Sequence, residues 1–235
     1  MPRALIVVES IEQAVKQSPV LQALLAALEI GHTKDKLQVT SVEVVAANSL
    51  EFDLPLQEII LCPLTLSLPG KLIFPHQRVF KICQDVTGLR QHLAQTMQVE
   101  SGDGRFWLPV IFTAKGPLYG EAIALKEELI GTNSPNDVSL FELSYYQPFH
   151  LSDTFRQPLY HMAYRLLTSL SAPPATYLVQ FGLQADKIFF DRLWPFPTAP
   201  ALASINVQQP DLFTCHWYCL AAKPLLDLAI VSFAT

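Results

Sequence analysis

Between residues 176 and 222 the chain reads strand, tight turn, strand, proline-rich loop and helix without interruption, and this order restricts the fold more than any other feature. Residues 176–183 and 187–193 are apolar runs rich in β-formers, joined by a turn at 184–186 into a hairpin. The segment 194–200 (WPFPTAP) follows, and a closing helix is expected from about 211 to 222 with Pro210 just ahead of its cap. Before the hairpin, 152–170 carries the strongest helical pattern: Leu159, Met162, Ala163, Leu166, Leu167 and Leu170 share a stripe, and Ser152 or Asp153 can cap it.

The rest of the chain reads as alternating β and α elements. Residues 4–8 predict a strand and 11–28 a helix through Val15, Leu21, Leu24, Leu25 and Leu28. Strand composition returns at 39–45 and 58–62. Residues 75–96 have helix spacing, and 100–105 (ESGDGR) reads as the clearest flexible loop. Beyond it, 107–112 predicts a strand, 116–120 a turn, 121–130 a strand or short helix and 139–145 a further strand. The expected class is therefore α/β, with a small N-terminal α/β lobe over 1–75, a linker helix and loop over 76–106, and a second lobe over 107–235.

Composition narrows the function. Charged residues are 16% of the chain against roughly 25% in average globular proteins, so an unusual share of the surface is apolar or neutral. A protein partner or a second copy of the chain is expected to cover some of it. A net charge of −5 with no run of Lys or Arg removes the footprint of a nucleic-acid binder. The N-terminus turns polar too soon for a signal peptide, and the longest nearly uncharged stretches, 21–28 and 228–235, fall far short of the roughly 20 residues that span a bilayer. A cytoplasmic protein is expected. Cys62, Cys83, Cys215 and Cys219 then read as reduced, buried thiols.

The succession of helix, hairpin, proline-rich loop and helix, together with Asp191-Arg192-Leu193-Trp194-Pro195-Phe196-Pro197 and Lys223-Pro224-Leu225, resembles the C-terminal part of ATP-grasp ligases, the carboxyaminoimidazole ribonucleotide synthetases above all. The resemblance implies two acids that hold magnesium against the phosphates of ATP. Their positions correspond to Gln180 and Arg192, an amide and a guanidinium, so it also implies that ligation has been lost. The Arg of the family's substrate motif corresponds to Phe196. Upstream, 108–120 resembles the nucleotide-binding strand and glycine-rich loop, with Thr113 in place of the phosphate-contacting Lys, Lys115 on the same face of an extended strand, and Tyr119 and Glu121 after it. Leu140-Phe141-Glu142-Leu143 resembles the hinge that contacts adenine, which makes Glu142 a nucleotide-cleft candidate. The expected function is that of a binding, scaffold or regulatory protein on an ATP-grasp-like frame, with no catalytic residue and no cofactor. The alternatives are a divergent ATP-dependent carboxylate–amine or carboxylating ligase, using ATP with magnesium held by Glu121, Glu142 or Asp191, and a protein that binds nucleotide without turning it over.

Other groups weigh less. Cys215 and Cys219 flank His216 at helical spacing but lack a second ligand pair, so core packing is expected rather than zinc. His150, His161 and Asp153 sit at the start of the best helix, where a capping Asp and two partly exposed histidines suffice as explanation. Arg192 is expected to pair with Asp191, Asp186 or Glu142, or to be solvated. Trp194 and Phe196 offer a rigid apolar stretch that could form a partner groove.

Overall fold

A computed structural model describes residues 2–11, 18–35, 39–50, 54–55, 57–126 and 145–231. Val15, Glu142 and the hinge-like segment 140–143 lie outside the described residues.

The first strand, β1 (Arg3–Val8), is apolar from Ala4 onward and lies between two parallel neighbours, β2 (Val42–Ala46) and β3 (Ile59–Pro63), in the order β2-β1-β3. A central parallel strand is buried on both faces, which is why it shows no polar alternation. Ala4, Ile6 and Val8 meet helix α1 (Pro19–Asp35) through Leu21, Leu24 and Leu28. Leu5 and Val7 face the opposite layer of Phe74, Phe80 and Phe196.

The helical stretch expected over 75–96 is two helices, α2 (Gln77–Gln84) and α3 (Val86–Met97). Asp85 causes the break. Its backbone leaves the helical region and its carboxylate accepts the Gly88 N–H at 2.8 Å, so one residue ends α2 and caps α3.

The second sheet is antiparallel throughout. Its order is β7-β6-β4-β8-β9, with β5 paired to β4: β4 (Phe106–Thr113), β5 (Gly116–Tyr119), β6 (Ala122–Leu125), β7 (Tyr145–Phe149), β8 (Ala175–Gln184) and β9 (Lys187–Trp194). Helix α4 (Asp153–Ser169) precedes β8. Ser152 is its N-cap, yet the hydroxyl lies 3.1 Å from Thr154 Oγ1 and makes no capping bond, while Asp153 pairs with Arg156 at 2.9 Å. One face of the sheet, with Leu108, Val110, Tyr177 and Val179, packs under α3 and α4. After the proline-rich loop and a 3₁₀ turn (Ala199–Ser204) come β10 (Gln208–Gln209), α5 (Leu212–Leu220) and β11 (Ala229–Ile230).

Helix α5 joins the two sheets. It is buried on every side over its first eight residues, packing on α1 in one direction and on β8 and β4 in the other. Leu212, Phe213 and Trp217 share one core with Ile6 and Leu24 of the first sheet and with Trp107, Ile111 and Leu178 of the second. A helix apolar all round needs such a position. Asp211 caps it, its Oδ1 accepting the N–H groups of Phe213 and Thr214 at 2.9 and 3.1 Å. Among the described residues no helix is long and apolar enough to cross a membrane.

Candidate functional site

Gln180 of β8 lies directly opposite Arg192 of β9, and Leu178 opposite Trp194. Opposed residues share a face, and two steps along a strand return to it, so Gln180, Arg192 and Trp194 form one patch. The register then slips: Phe181 faces Phe190, which leaves Asp191 as the extra residue of a β-bulge. The bulge releases Asp191 from the alternation of the strand and lets two consecutive side chains approach each other.

The carboxylate of Asp191 is buried and fully engaged. Oδ1 is 2.6 Å from Arg90 Nη2 and 3.3 Å from Arg192 Nε, while Oδ2 accepts the Gly104 N–H at 2.9 Å. Arg90, on α3, donates a second bond to the Asp191 carbonyl at 2.9 Å. Gln180 is engaged at both ends: Nε2 donates to the Gly104 carbonyl at 2.8 Å and Oε1 accepts from Trp194 Nε1 at 3.0 Å. The guanidinium of Arg192 stacks over the Trp194 ring, 5.6 Å from its centroid.

The loop 100–105 is a strap rather than a free loop, which corrects the expectation from its glycines. Phe190 N–H donates to Glu100 O at 2.9 Å, Gly102 N–H returns to Phe190 O at 3.0 Å, and Lys187 meets Glu100 at 2.6 Å. A Cβ on Gly104 would stand 2.7 Å from the Phe181 carbonyl, and one on Gly182 would stand 2.6 Å from the Asp103 carbonyl oxygen. The glycines serve close approach of two backbones. Sequence reasoning did not find Arg90 or Gly104 as members of this cluster. Arg90 carries no local signal, and the glycines of 100–105 signal flexibility and close packing alike.

Magnesium requires hard oxygen ligands in a near-octahedral shell. Here the hairpin offers an amide oxygen that already accepts an indole N–H, a guanidinium, and a carboxylate held by two guanidiniums and a backbone amide. These residues do not fit a divalent cation. Among the described residues no group of three or more His, Cys, Asp or Glu side chains is arranged to hold a metal.

The remaining candidates lie elsewhere. Phe112 of β4 is opposite Ala175 of β8, and Trp107 opposite Gln180, so the end of β4 is five strand steps, roughly 17 Å, from the Gln180 row. Thr113 and Lys115 are at that far end. The strand stops at Thr113, whose hydroxyl donates to Gly116 O at 2.8 Å and accepts the Lys115 N–H at 3.1 Å. Lys115 is thus in a tight turn between β4 and β5, not two places along an extended strand as expected, and what resembled a phosphate-cradling loop is a hairpin turn. Together with Cys219, Lys223 and Leu225, the two residues line a cavity of about 170 Å³. Tyr119 is on the α4 side, stacked on Tyr160 with centroids 4.0 Å apart and its hydroxyl on Tyr160 O at 3.2 Å. Burial raises the pKa of both tyrosines. Glu121 immediately precedes β6, 3.9 Å from the largely exposed His150.

Phe196 is a core residue, stacked on Phe80 with centroids 5.7 Å apart, and Trp194 contacts it edge-on at 6.4 Å. Phe196 thus has the core position that was the alternative to a partner groove, and Trp194 is half-buried beside it. Their loop instead walls a crevice of about 330 Å³ at the carboxyl ends of β1 and β3, together with Glu9, Ser18, Leu64 and Thr198. Glu9 accepts a hydrogen bond from the buried Thr65 hydroxyl.

The four cysteines and His216 are interior groups, whereas His150 and His161 are exposed as expected. Cys215 Sγ lies 3.4 Å from Pro210 O, and burial pushes the Cys62, Cys83 and Cys219 thiols up to about 12. His216 is enclosed, its Nδ1 accepting the Thr176 N–H at 3.2 Å and its Nε2 without a partner. Burial, with a smaller contribution from nearby His76, lowers its pKa to about 3.

No protein-family model matches this chain, and no curated protein matches it. Solved structures do. N5-carboxyaminoimidazole ribonucleotide synthetase from Thermotoga maritima superposes with a TM-score of 0.67 at 10% identity, over 97% of this chain and 77% of that one. Carboxyaminoimidazole ribonucleotide synthase from Aspergillus clavatus, complexed with ATP, gives 0.65 at 10% over 96% and 78%. The L-amino acid ligase from Bacillus licheniformis gives 0.63 at 9% over 96% and 75%. At these identities the likeness defines the fold: the chain has the α/β architecture of ATP-grasp ligases and resembles the carboxyaminoimidazole ribonucleotide synthetases.

Proposed function

We propose that this chain is a binding or regulatory protein on an ATP-grasp frame that does not carry out magnesium-dependent transfer from ATP at the β8–β9 hairpin. The observation that carries the reading is the state of Asp191. Its carboxylate lies beside the Gln180 and Arg192 positions, and its oxygens are already bound to Arg90, Arg192 and Gly104. Phosphoryl transfer relies on a cation to neutralise charge developing on the transferred group, and here the surrounding side chains repel or exclude that cation. The crevice at the carboxyl ends of β1 and β3 suits a small ligand, since open parallel sheets bind at that edge. Ile73 and Leu226, both strongly exposed, suit contact with a protein partner or a second copy.

The test is phosphate release from ATP by the full chain, with and without magnesium, alongside melting temperature under the same conditions. No magnesium-dependent release and no magnesium-dependent rise in melting temperature are expected. The second reading, an ATP-dependent ligase with a displaced metal site, is favoured by the solved neighbours, whose names are those of a ligase and synthetases. Magnesium-dependent turnover that disappears in Glu121→Gln or Glu142→Gln would establish it and overturn the first.

A further inference from the structure

Two tyrosines from separate elements lie face to face on the helix side of the second sheet. Tyr119 ends β5 and Tyr160 belongs to α4; their rings are 6° from parallel, with centroids 4.0 Å apart. The Tyr119 hydroxyl donates to the Tyr160 carbonyl at 3.2 Å, which holds one ring over the other. Both side chains are half-buried. Tyr164, one turn further along α4, is 47% exposed and near enough for its charge to be felt at Tyr119. Tyr145 and Tyr146 make a different kind of contact, meeting Trp107 and Phe149 edge-on.

Stacking of this kind is an ordinary aromatic contact, but here both rings are phenols. A one-electron oxidant takes an electron from a phenol as the hydroxyl proton leaves, and the unpaired electron spreads over the oxygen and the ortho and para carbons. The para carbon of a tyrosine carries the main-chain link, so two such radicals join through their ortho carbons. Their half-filled orbitals stand perpendicular to the rings, and facing rings bring those orbitals together. Each newly bonded carbon then releases its hydrogen as a proton while each oxygen takes one back, which restores both aromatic rings. Two electrons and two protons leave in all, one electron to each of two oxidant molecules. Because the partners are already in contact, the coupling is unimolecular.

The geometry points to Tyr119 and Tyr160 as a site of oxidative modification, at which a diffusible one-electron oxidant joins the two rings into a dityrosine that staples α4 to β5. The linked positions are 41 residues apart, so the bond closes a long loop in the unfolded chain and stabilises the fold as a disulfide would. The pair packs with the α3 and α4 layer, on the face of the sheet opposite the patch of Gln180, Arg192 and Trp194. It does not depend on whether nucleotide binds near the hairpin.

The test is brief illumination of the full chain with a ruthenium tris-bipyridine complex and persulfate, which generates a small one-electron oxidant in place. A monomer lighter by two hydrogens is expected, with dityrosine fluorescence, a raised melting temperature, and a mass-spectrometric link between the peptides that carry Tyr119 and Tyr160. Tyr119→Phe and Tyr160→Phe each keep a stacked ring that the oxidant does not attack. Either is expected to lower the dityrosine fluorescence of the monomer about tenfold, and so is concentrated urea, which separates the rings. Tyr164→Phe is expected to leave the link in place. Absence of dityrosine from the monomer overturns the proposal, as does its appearance in cross-linked dimers alone. Undiminished fluorescence of the monomer in both the Tyr119 and Tyr160 variants does the same, since other tyrosines would then be the ones that couple.

Discussion

Asp191 and His216 are two buried polar residues whose consequences differ in sign and origin. Asp191 ties α3, the strap and β9 through one carboxylate, so Asp191→Ala removes the short ion pair of Arg90 and leaves the Gly104 N–H without its acceptor. A loss of about 3 kcal/mol in unfolding free energy is expected, measurable by urea denaturation. His216 acts through its proton. Its folded-state pKa, about 3, is below the ordinary 6.5, so the unfolded chain binds the proton more readily. Stability is therefore full above pH 6.5 and is lost as pH falls towards 3, with a slope on the order of 1 kcal/mol per unit across that window. His76, lowered by burial and partly restored by its contact with Pro174 O, works in the same direction. His216→Gln is expected to flatten the acid arm of a stability-against-pH curve. At this scale the sequence placed Asp191 among three candidate partners of Arg192, beside a solvated alternative, and placed Cys215 and Cys219 in the core; the structure selects Asp191. Arg90 lies 101 positions from Asp191, and no local pattern links them.

Elements were legible where periodicity and punctuation agree. The helix around Leu159 to Leu167, the hairpin and its turn, and the parallel strands all follow from apolar spacing and turn residues. Residues 116–120 were expected as a turn, but 116–119 are strand β5 and the turn lies at Ala114–Lys115; two further elements did not follow. Apolar spacing continues through Asp85, so one helix was expected where a cap makes two; Asp85→Ala is expected to lower stability by about 1 kcal/mol and to fray the start of α3, visible as faster amide exchange at Gly88 and Leu89. The strap 100–105 has the composition of a flexible loop, yet its glycines allow contact with β8 and β9. Gly104→Ala would force its Cβ against the Phe181 backbone, and a cost of about 2 kcal/mol is expected in thermal or urea unfolding.

The two sheets share one core through α5, so a single cooperative transition is expected, with circular dichroism and tryptophan fluorescence giving coincident urea curves. Trp217→Ala removes a wholly buried ring from the junction and is expected to lower stability by about 4 kcal/mol without splitting that transition. The order of elements, the α/β class and the likeness to ATP-grasp ligases were determined by the sequence itself, because strand, turn and helix signals act over a few residues and their succession limits the topologies available. The contents of the site were decided by tertiary structure. Thr113 and Lys115 resemble phosphate contacts when read along the chain, but the pairing of β4 with β8 carries them to the opposite end of the sheet from Gln180 and Arg192. A bulge at Asp191 and an arginine from a distant helix then engage the one carboxyl group next to Arg192 in the chain, since register and long-range ion pairs depend on how separate segments meet in space.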